Sequence, residues 1–273
     1  MSNLATRISF AIPAAVLFVW MNWLGGWYFN VFVILIGLFI QHEIIQIMSR
    51  AAQPSDPLFP FSLGLWIMLF PALPFALEIG LGILILFIAI QTFNASDTDL
   101  KQLSSTFFVS VYAPIGLVSL MLIRSWGTSE QGFFLTMLVV LMVWGSDVFA
   151  YFGGKAFGKH PLAPSISPNK TVEGFVSGYV GCLMAILVMA YATPLTPPLS
   201  MIMMLPLAVL VGTFGPIGDL FESKLKRRAG VKDSSTLLPG HGGFFDRFDA
   251  LILAAPAAFA YLQVMKGLGY VRF

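Results

Sequence analysis

Charge is what this sequence has least of. Only 28 of its 273 residues are Asp, Glu, Lys or Arg, against 58% apolar residues and 26 Phe. A soluble domain carries charge at about a quarter of its positions, so an aqueous globule is excluded as the whole description. Cysteine is nearly absent as well. Cys182 stands alone inside an apolar run, so no intrachain disulfide can form and redox chemistry has no pair to use. Histidine occurs three times, and His42-Glu43 meets Gln46 where a zinc helix needs a second His. A net charge of +2, with the bases confined to short segments between apolar runs, gives no surface for nucleic acid. Internal repeats, low-complexity tracts and a separate extramembrane domain are also missing.

What is present is a series of apolar runs. At roughly 20 residues per crossing, nine spans are predicted: 8–24, 27–48, 58–77, 79–93, 105–123, 131–152, 172–192, 200–221 and 248–266. The first follows Arg7 without a small-residue cleavage site and is read as a helix, not a removable leader. The third contains Pro60, Pro71 and Pro74 and is expected to be kinked or broken. The fold class is therefore an all-α integral membrane protein with about nine transmembrane helices. Residues 1–130 form N-terminal transmembrane helices, and 131–273 form a C-terminal transmembrane catalytic region.

Orientation follows from the bases. With the N-terminus cytoplasmic, 12 of 15 Lys and Arg fall on the inside, and only Arg124, Lys266 and Arg272 fall outside. Two long polar loops, 153–171 and 222–247, then share the cytoplasmic face. Chemistry is expected there.

The charge that exists is concentrated. Residues 219–249 hold 11 of the 28 charged side chains, of both signs, between two apolar spans. Asp219 is expected to end the span at 200–221, with Glu222 and Ser223 on the same helical face. Asp246 and Asp249 stand at the start of the last span. Carboxylates at a membrane edge need a partner or a metal, and acids converging from separate helix ends suit Mg²⁺, which leaves sites for substrate phosphates. Between them, Gly240-His241-Gly242-Gly243 offers backbone N–H groups of the kind that cradle phosphate oxygens. Lys226, Arg227, Lys232 and Arg247 surround that turn.

The other loop has matching chemistry. Asp147 lies inside the sixth span, where an acid needs a task. Ser167, Asn169, Lys170 and Thr171 then lead into the seventh span, where cap residues and a lysine at a helix N-terminus favour anions. Gly153 to His160 imitates a P-loop, but His160 replaces the required Ser or Thr and no strand precedes it.

The stretch Ser223 to Asp249 resembles the signature of the phosphatidate cytidylyltransferases, the CDP-diacylglycerol synthases. Ser223, Lys226, Arg227, Lys232, Asp233, His241, Gly242, Gly243, Asp246, Arg247 and Asp249 fill its fixed positions. With the segment from Asp147 to Gly174 the resemblance covers roughly residues 144–250. Two local departures stand out: Pro216 just before Asp219, and Ser235 where the family more often has glycine.

The resemblance implies transfer of a cytidylyl group from CTP to phosphatidic acid. Asp219 and Asp246 would hold Mg²⁺ or a metal pair, with Asp147 supporting the site or a second cation. Lys170, Lys226, Arg227, Lys232 and Arg247 would neutralise phosphate charge. Ser167, Asn169, Thr171, Ser223, His241, Gly242 and Gly243 would bind phosphate or substrate, His241 as a hydrogen bonder and not a base. The implied partners are CTP, phosphatidic acid and the bilayer of a bacterial inner membrane, with a homodimer as a candidate assembly. Two other readings compete. One is a cytidylyltransferase for another lipid phosphate, such as an isoprenoid-linked one. The other is an ion-coupled transporter, which should place its charges near mid-bilayer on repeat-related broken helices.

Overall fold

The computed structural model describes residues 3–93, 100–238 and 240–270. Nine α-helices stand among these residues: α1 (Asn3–Leu24), α2 (Gly26–Arg50), α3 (Phe59–Leu69), α4 (Ala76–Phe93), α5 (Leu100–Arg124), α6 (Ser129–Phe157), α7 (Val172–Tyr191), α8 (Met201–Arg228) and α9 (Phe245–Gly267). Six of them, α2 and α5 to α9, are long and apolar enough to cross a membrane. The other three carry shorter apolar stretches, Ser9–Leu24, Phe59–Ala72 and Ala76–Thr92.

The third expected span is broken where its prolines predict. Asp56 starts α3 by accepting hydrogen bonds from the N–H groups of Leu58 (2.9 Å) and Phe59 (2.7 Å). After 11 residues α3 passes into a 3-10 turn, Phe70–Ala72, which contains Pro71. Proline has no N–H to continue the ladder, and Pro74 keeps the chain extended before α4.

Small residues bring the long helices together. Gly145 of α6 lies against the Gly181 backbone of α7, and a Cβ on either would overlap the other helix. Gly116 of α5 meets the Ile252 backbone of α9, and Gly218 of α8 meets the Asp249 carbonyl. In lipid, where apolar contact alone does not drive helices together, such close approach is what holds a bundle. The exterior is correspondingly apolar, with Trp20, Trp27, Leu86, Tyr151 and Ile202 all exposed. An outer surface of this kind belongs to a protein dissolved in a bilayer.

The connections gather at two ends. At one, Arg124 donates to the carbonyls of Asn22 (2.6 Å), Trp23 (3.3 Å) and Ser129 (3.1 Å), tying the α1–α2 turn to the α5–α6 turn. Lys266 lies 5.4 Å over the Trp126 ring at the same end. Arg272, expected there too, lies outside the described residues. At the other end, Ser105 Oγ donates to the Gln53 carbonyl (2.9 Å) and Asp56 N–H to Thr106 Oγ1 (2.8 Å). Both polar loops belong to this second end.

Those loops are shorter than expected. The first is not irregular: after α6 it forms an antiparallel hairpin of β1 (Pro161–Ala163) and β2 (Ser167–Thr171), the exception to an all-α description. The second spans 229–244 instead of 222–247, because α8 continues to Arg228 and α9 begins at Phe245. Asp219 therefore lies inside α8, not at its end. Pro216 is accommodated within the same unbroken helix.

Candidate active site

Four elements meet at the second end: the hairpin, α8, the 229–244 loop and the start of α9. The hairpin is anchored first. Thr171 caps α7 by accepting the Gly174 N–H (3.1 Å), as a threonine before a helix is expected to do. Glu173 in the first turn accepts the N–H groups of Lys159 (3.1 Å) and His160 (3.3 Å) and pairs with His160 Nδ1 (2.6 Å). The strand preceding the cap then presents the Lys170 ammonium to the Asp219 carboxylate. Ser167 and Asn169 fall on the opposite strand face from Lys170, and Asn169 is exposed. Of the four residues predicted in this segment, only Lys170 reaches Asp219; Thr171 acts as a cap.

Along α8, Asp219, Glu222, Ser223 and Lys226 lie on one face. Ser223 Oγ approaches Asp219 Oδ1 at 3.4 Å, and Lys226 Nζ donates to Glu222 Oε2 at 2.7 Å. Lys226 also reaches across to Asp246 Oδ1 of α9 at 2.5 Å. The helix then stops in a Schellman arrangement: Gly230, at φ +69°, donates to the Arg227 carbonyl (3.1 Å) and Val231 to the Lys226 carbonyl (3.0 Å). That stop turns the chain back over the site.

Asp246 has a different environment from the one expected. Its Oδ2 accepts from Ser234 N–H and Gly243 N–H, each at 2.8 Å, with the Ser234 hydroxyl oxygen also 2.8 Å away, while Oδ1 holds Lys226. Protein donors thus occupy both oxygens. The carboxylates that converge are Asp219, Glu222 and Asp249, each offering one oxygen within 4.8 Å of the others. Glu222 is only 1% exposed, and its Oε1 has no hydrogen-bond partner among the described residues. An unsatisfied buried carboxylate oxygen is costly, and a divalent cation shared with Asp219 and Asp249 would satisfy it. The three acids fit a hard, oxygen-seeking ion such as Mg²⁺.

The glycine turn also differs from the expectation. Gly240 (φ +75°) and Gly242 (φ +79°) adopt backbone that only glycine takes readily. The turn closes on itself, with Leu238 N–H donating to the Gly242 carbonyl and His241 N–H to the Leu238 carbonyl, both at 2.9 Å. Since Gly243 N–H is taken by Asp246, two of the N–H groups expected to cradle phosphate are already engaged. A Cβ at Gly242 would strike Asp246, and one at Gly243 would strike Ser234 and Glu43. Here the glycines give room to carboxylates.

Lys226 is buried, whereas Arg227, Lys232 and Arg247 are exposed and His241 is half-buried. Asp147 on α6 is within electrostatic reach of Asp219, Lys170 and Arg247. Behind the acids stands an aromatic wall, in which Tyr112 packs against Phe221 (5.1 Å between ring centres) and Phe245 (6.2 Å). The converging acids thus lie beside the Lys170 and Lys226 ammonium groups at one end of the bundle.

Comparison with known proteins agrees. Residues 5–265 match the sequence pattern described as the Cytidylyltransferase family. The chain belongs to the cytidylyltransferase family. Similar proteins include the phosphatidate cytidylyltransferase of Brucella abortus, 34% identical over 96% of this chain and 94% of the relative. That of Bacillus subtilis is 30% identical over 97% of this chain and 100% of the relative. The Staphylococcus aureus protein of the same name is 33% identical over 90% of this chain and 94% of the relative. The cytidylyltransferase match extends well before residue 144, so it includes the N-terminal helices.

Two contributors to this cytidylyltransferase site escape a reading of the polar stretch alone. One is Asp249, which looks like a plain dipole partner at a helix start until α8 is set beside it. The other is Glu43 of α2, which accepts four hydrogen bonds from residues 234–245. An acid two turns inside an apolar span was the available signal.

Proposed function

We infer that this protein transfers a cytidylyl group from CTP to phosphatidic acid, yielding CDP-diacylglycerol and pyrophosphate. Full-length similarity to phosphatidate cytidylyltransferases supports the reaction class. The observation that carries the reading within the structure is the convergence of Asp219, Glu222 and Asp249 beside Lys170 and Lys226.

In this reaction an oxygen of the lipid phosphate attacks the α-phosphorus of CTP. The bond to the bridging oxygen breaks, and pyrophosphate leaves with its electron pair. A phosphate monoester is already largely ionised at neutral pH, so no protein nucleophile or strong base is required. Catalysis then rests on placing two anions in line and offsetting their charge. Asp219, Glu222 and Asp249 would hold Mg²⁺, which when bound offsets the negative charge that both substrates bring. Lys170 and Lys226 would supply fixed positive charge from the protein side. The exposed Arg227, Lys232 and Arg247 would receive the triphosphate from water, with Ser223 and His241 as hydrogen bonders. Asp246 would keep Lys226 in place and not bind the ion itself. Asp147 would tune the charge balance from α6.

A site at one end of the bundle suits a soluble nucleotide and a lipid acceptor. Placement of the bases supports the cytoplasmic face of a bacterial inner membrane. The test uses purified protein in detergent with labelled CTP, Mg²⁺ and either phosphatidic acid or a polyprenyl phosphate. Lipid-soluble cytidine is expected with phosphatidic acid. Product with the polyprenyl phosphate alone would move the assignment to another acceptor, and none with either would end it.

A further inference from the structure

Glu43 is a carboxylate that the chemistry above leaves without a task. It lies within apolar α2 with none of its surface exposed. A buried acid in a membrane helix is expensive and marks function. All four of its donors come from one stretch of chain. Oε1 accepts from Ser235 Oγ (2.7 Å) and Phe244 N–H (3.0 Å); Oε2 accepts from Phe245 N–H (2.8 Å) and Ser234 Oγ (2.9 Å). Every one of these donors is neutral.

The arrangement has two effects. First, the initial N–H groups of α9 receive their acceptor from another helix, because the N-cap residue Phe244 supplies none. Glu43 thereby also sets a negative charge at the positive end of that helix. Second, the Ser234 hydroxyl beside Glu43 is also 2.8 Å from Asp246, whose other oxygen holds Lys226. Asp249 follows Phe245 by one helical turn. One carboxylate, some 200 residues upstream, therefore sets the start of the helix that carries both site aspartates.

We propose that Glu43 is a positioning residue for cytidylyl transfer: its grip on residues 234–245 holds Asp246 against Lys226 and brings Asp249 to Asp219 and Glu222. This rests on the reading of those acids given above. A glutamine would keep the size but turn one acceptor into an amide N–H facing donors, so Glu43→Gln breaks the grip without emptying the space.

Glu43→Gln, Glu43→Asp, Ser235→Ala and Asp249→Asn are each purified as folded protein in detergent. Measured are kcat, KM for CTP, and hydrogen exchange at the amides of Gly243, Phe244 and Phe245. For Glu43→Gln the expected result is at least a tenfold fall in kcat, a KM within threefold of the parent, and faster exchange at the three amides. Glu43→Asp, which keeps the charge, should recover part of kcat. Parental kcat in Glu43→Gln overturns the proposal, whether or not exchange quickens, because the contact is then only an anchor of the fold. A fall in kcat without faster exchange overturns it too, since Glu43 would then act on substrate directly. If Glu43→Gln does not fold, Ser235→Ala decides: a threefold or larger loss of kcat supports the proposal and an unchanged kcat overturns it. Parental activity in Asp249→Asn would instead remove the acid reading itself, so the two failures are distinct.

Discussion

The ammonium of Lys170 pairs with the carboxylate of Asp219 across 49 residues of chain. The contact joins a strand of the hairpin to the middle of α8, two elements with no other reason to meet at a polar point. Both side chains retain some exposure, 28% and 30%, so the pair can open to an incoming anion. A fixed cation facing developing phosphate charge contributes about a hundredfold to a thousandfold in rate. Lys170→Ala should accordingly lower kcat about a hundredfold, measured as initial rate of lipid-soluble cytidine formation. A loss smaller than tenfold would reduce the pair to a structural clip.

The three converging acids should behave as a group, and differently from Asp246. Asp219→Asn, Glu222→Gln and Asp249→Asn are each expected to abolish Mg²⁺-stimulated turnover while leaving folded protein. Chelation should silence the parent enzyme, and added Mg²⁺ should restore it. Asp246→Asn should show its effect first in stability. Its side chain is 5% exposed and balances Lys226, and removing one partner of a buried pair costs about 3–5 kcal/mol. Thermal unfolding in detergent reads this directly. If Asp246→Asn kept full stability and lost all response to Mg²⁺, the ion would belong to Asp246 instead.

Two lysines one helical half-turn apart offer an internal control. Lys226 is buried between Glu222 and Asp246, whereas Lys224 is exposed on the other side of α8. Lys226→Ala should cost both stability and turnover, because it leaves two buried carboxylates facing each other. Lys224→Ala should stay within about twofold of the parent, as surface charges contribute little. Equal losses would mean that a diffuse basic patch, not a built site, binds the nucleotide.

Gly218 gives a test by volume alone. A methyl group there would press on the Asp249 carbonyl and lie 3.3 Å from Ala250 Cα. Gly218→Ala should push α9 away from α8, costing about 1–3 kcal/mol of stability by overpacking. Since Asp249 moves with that backbone, activity should fall further than stability does. Normal kcat at a lowered unfolding midpoint would show that the acids tolerate a shift between the two helices.

Much of this was legible in the sequence, for physical reasons. Lipid demands long apolar helices, so run length alone marks nine helices, of which six among the described residues are long and apolar enough to cross. The break in the third run follows from Pro71 and Pro74. The polar stretch pointed to a candidate site because charge is expensive beside lipid. What stayed hidden depends on distance in three dimensions. The sequence favoured Asp246 over Asp249 as a partner of Asp219, yet Asp246 faces the Ser234 and Gly243 donors while Asp249 faces Asp219 and Glu222. The glycines looked like a phosphate cradle, and two of their N–H groups proved to be engaged within the protein. Ser235, a departure from the family habit, acquires a meaning only when Glu43 arrives from α2 to accept its hydroxyl. No local pattern encodes a partner 192 residues away.

The unbroken length of α8 acts as a depth gauge. Its 28 residues extend about 42 Å, against a hydrocarbon layer of about 30 Å. Asp219, its nineteenth residue, stands about 27 Å from the start, so a helix that enters the hydrocarbon at Met201 would set it where acyl chains give way to headgroups. At that depth an acceptor lipid would react with both tails still dissolved in its leaflet. Dragging them into water would cost about 0.8 kcal/mol for every methylene exposed, a barrier that a helix of this reach would remove by setting the reacting groups at the level of the lipid headgroup.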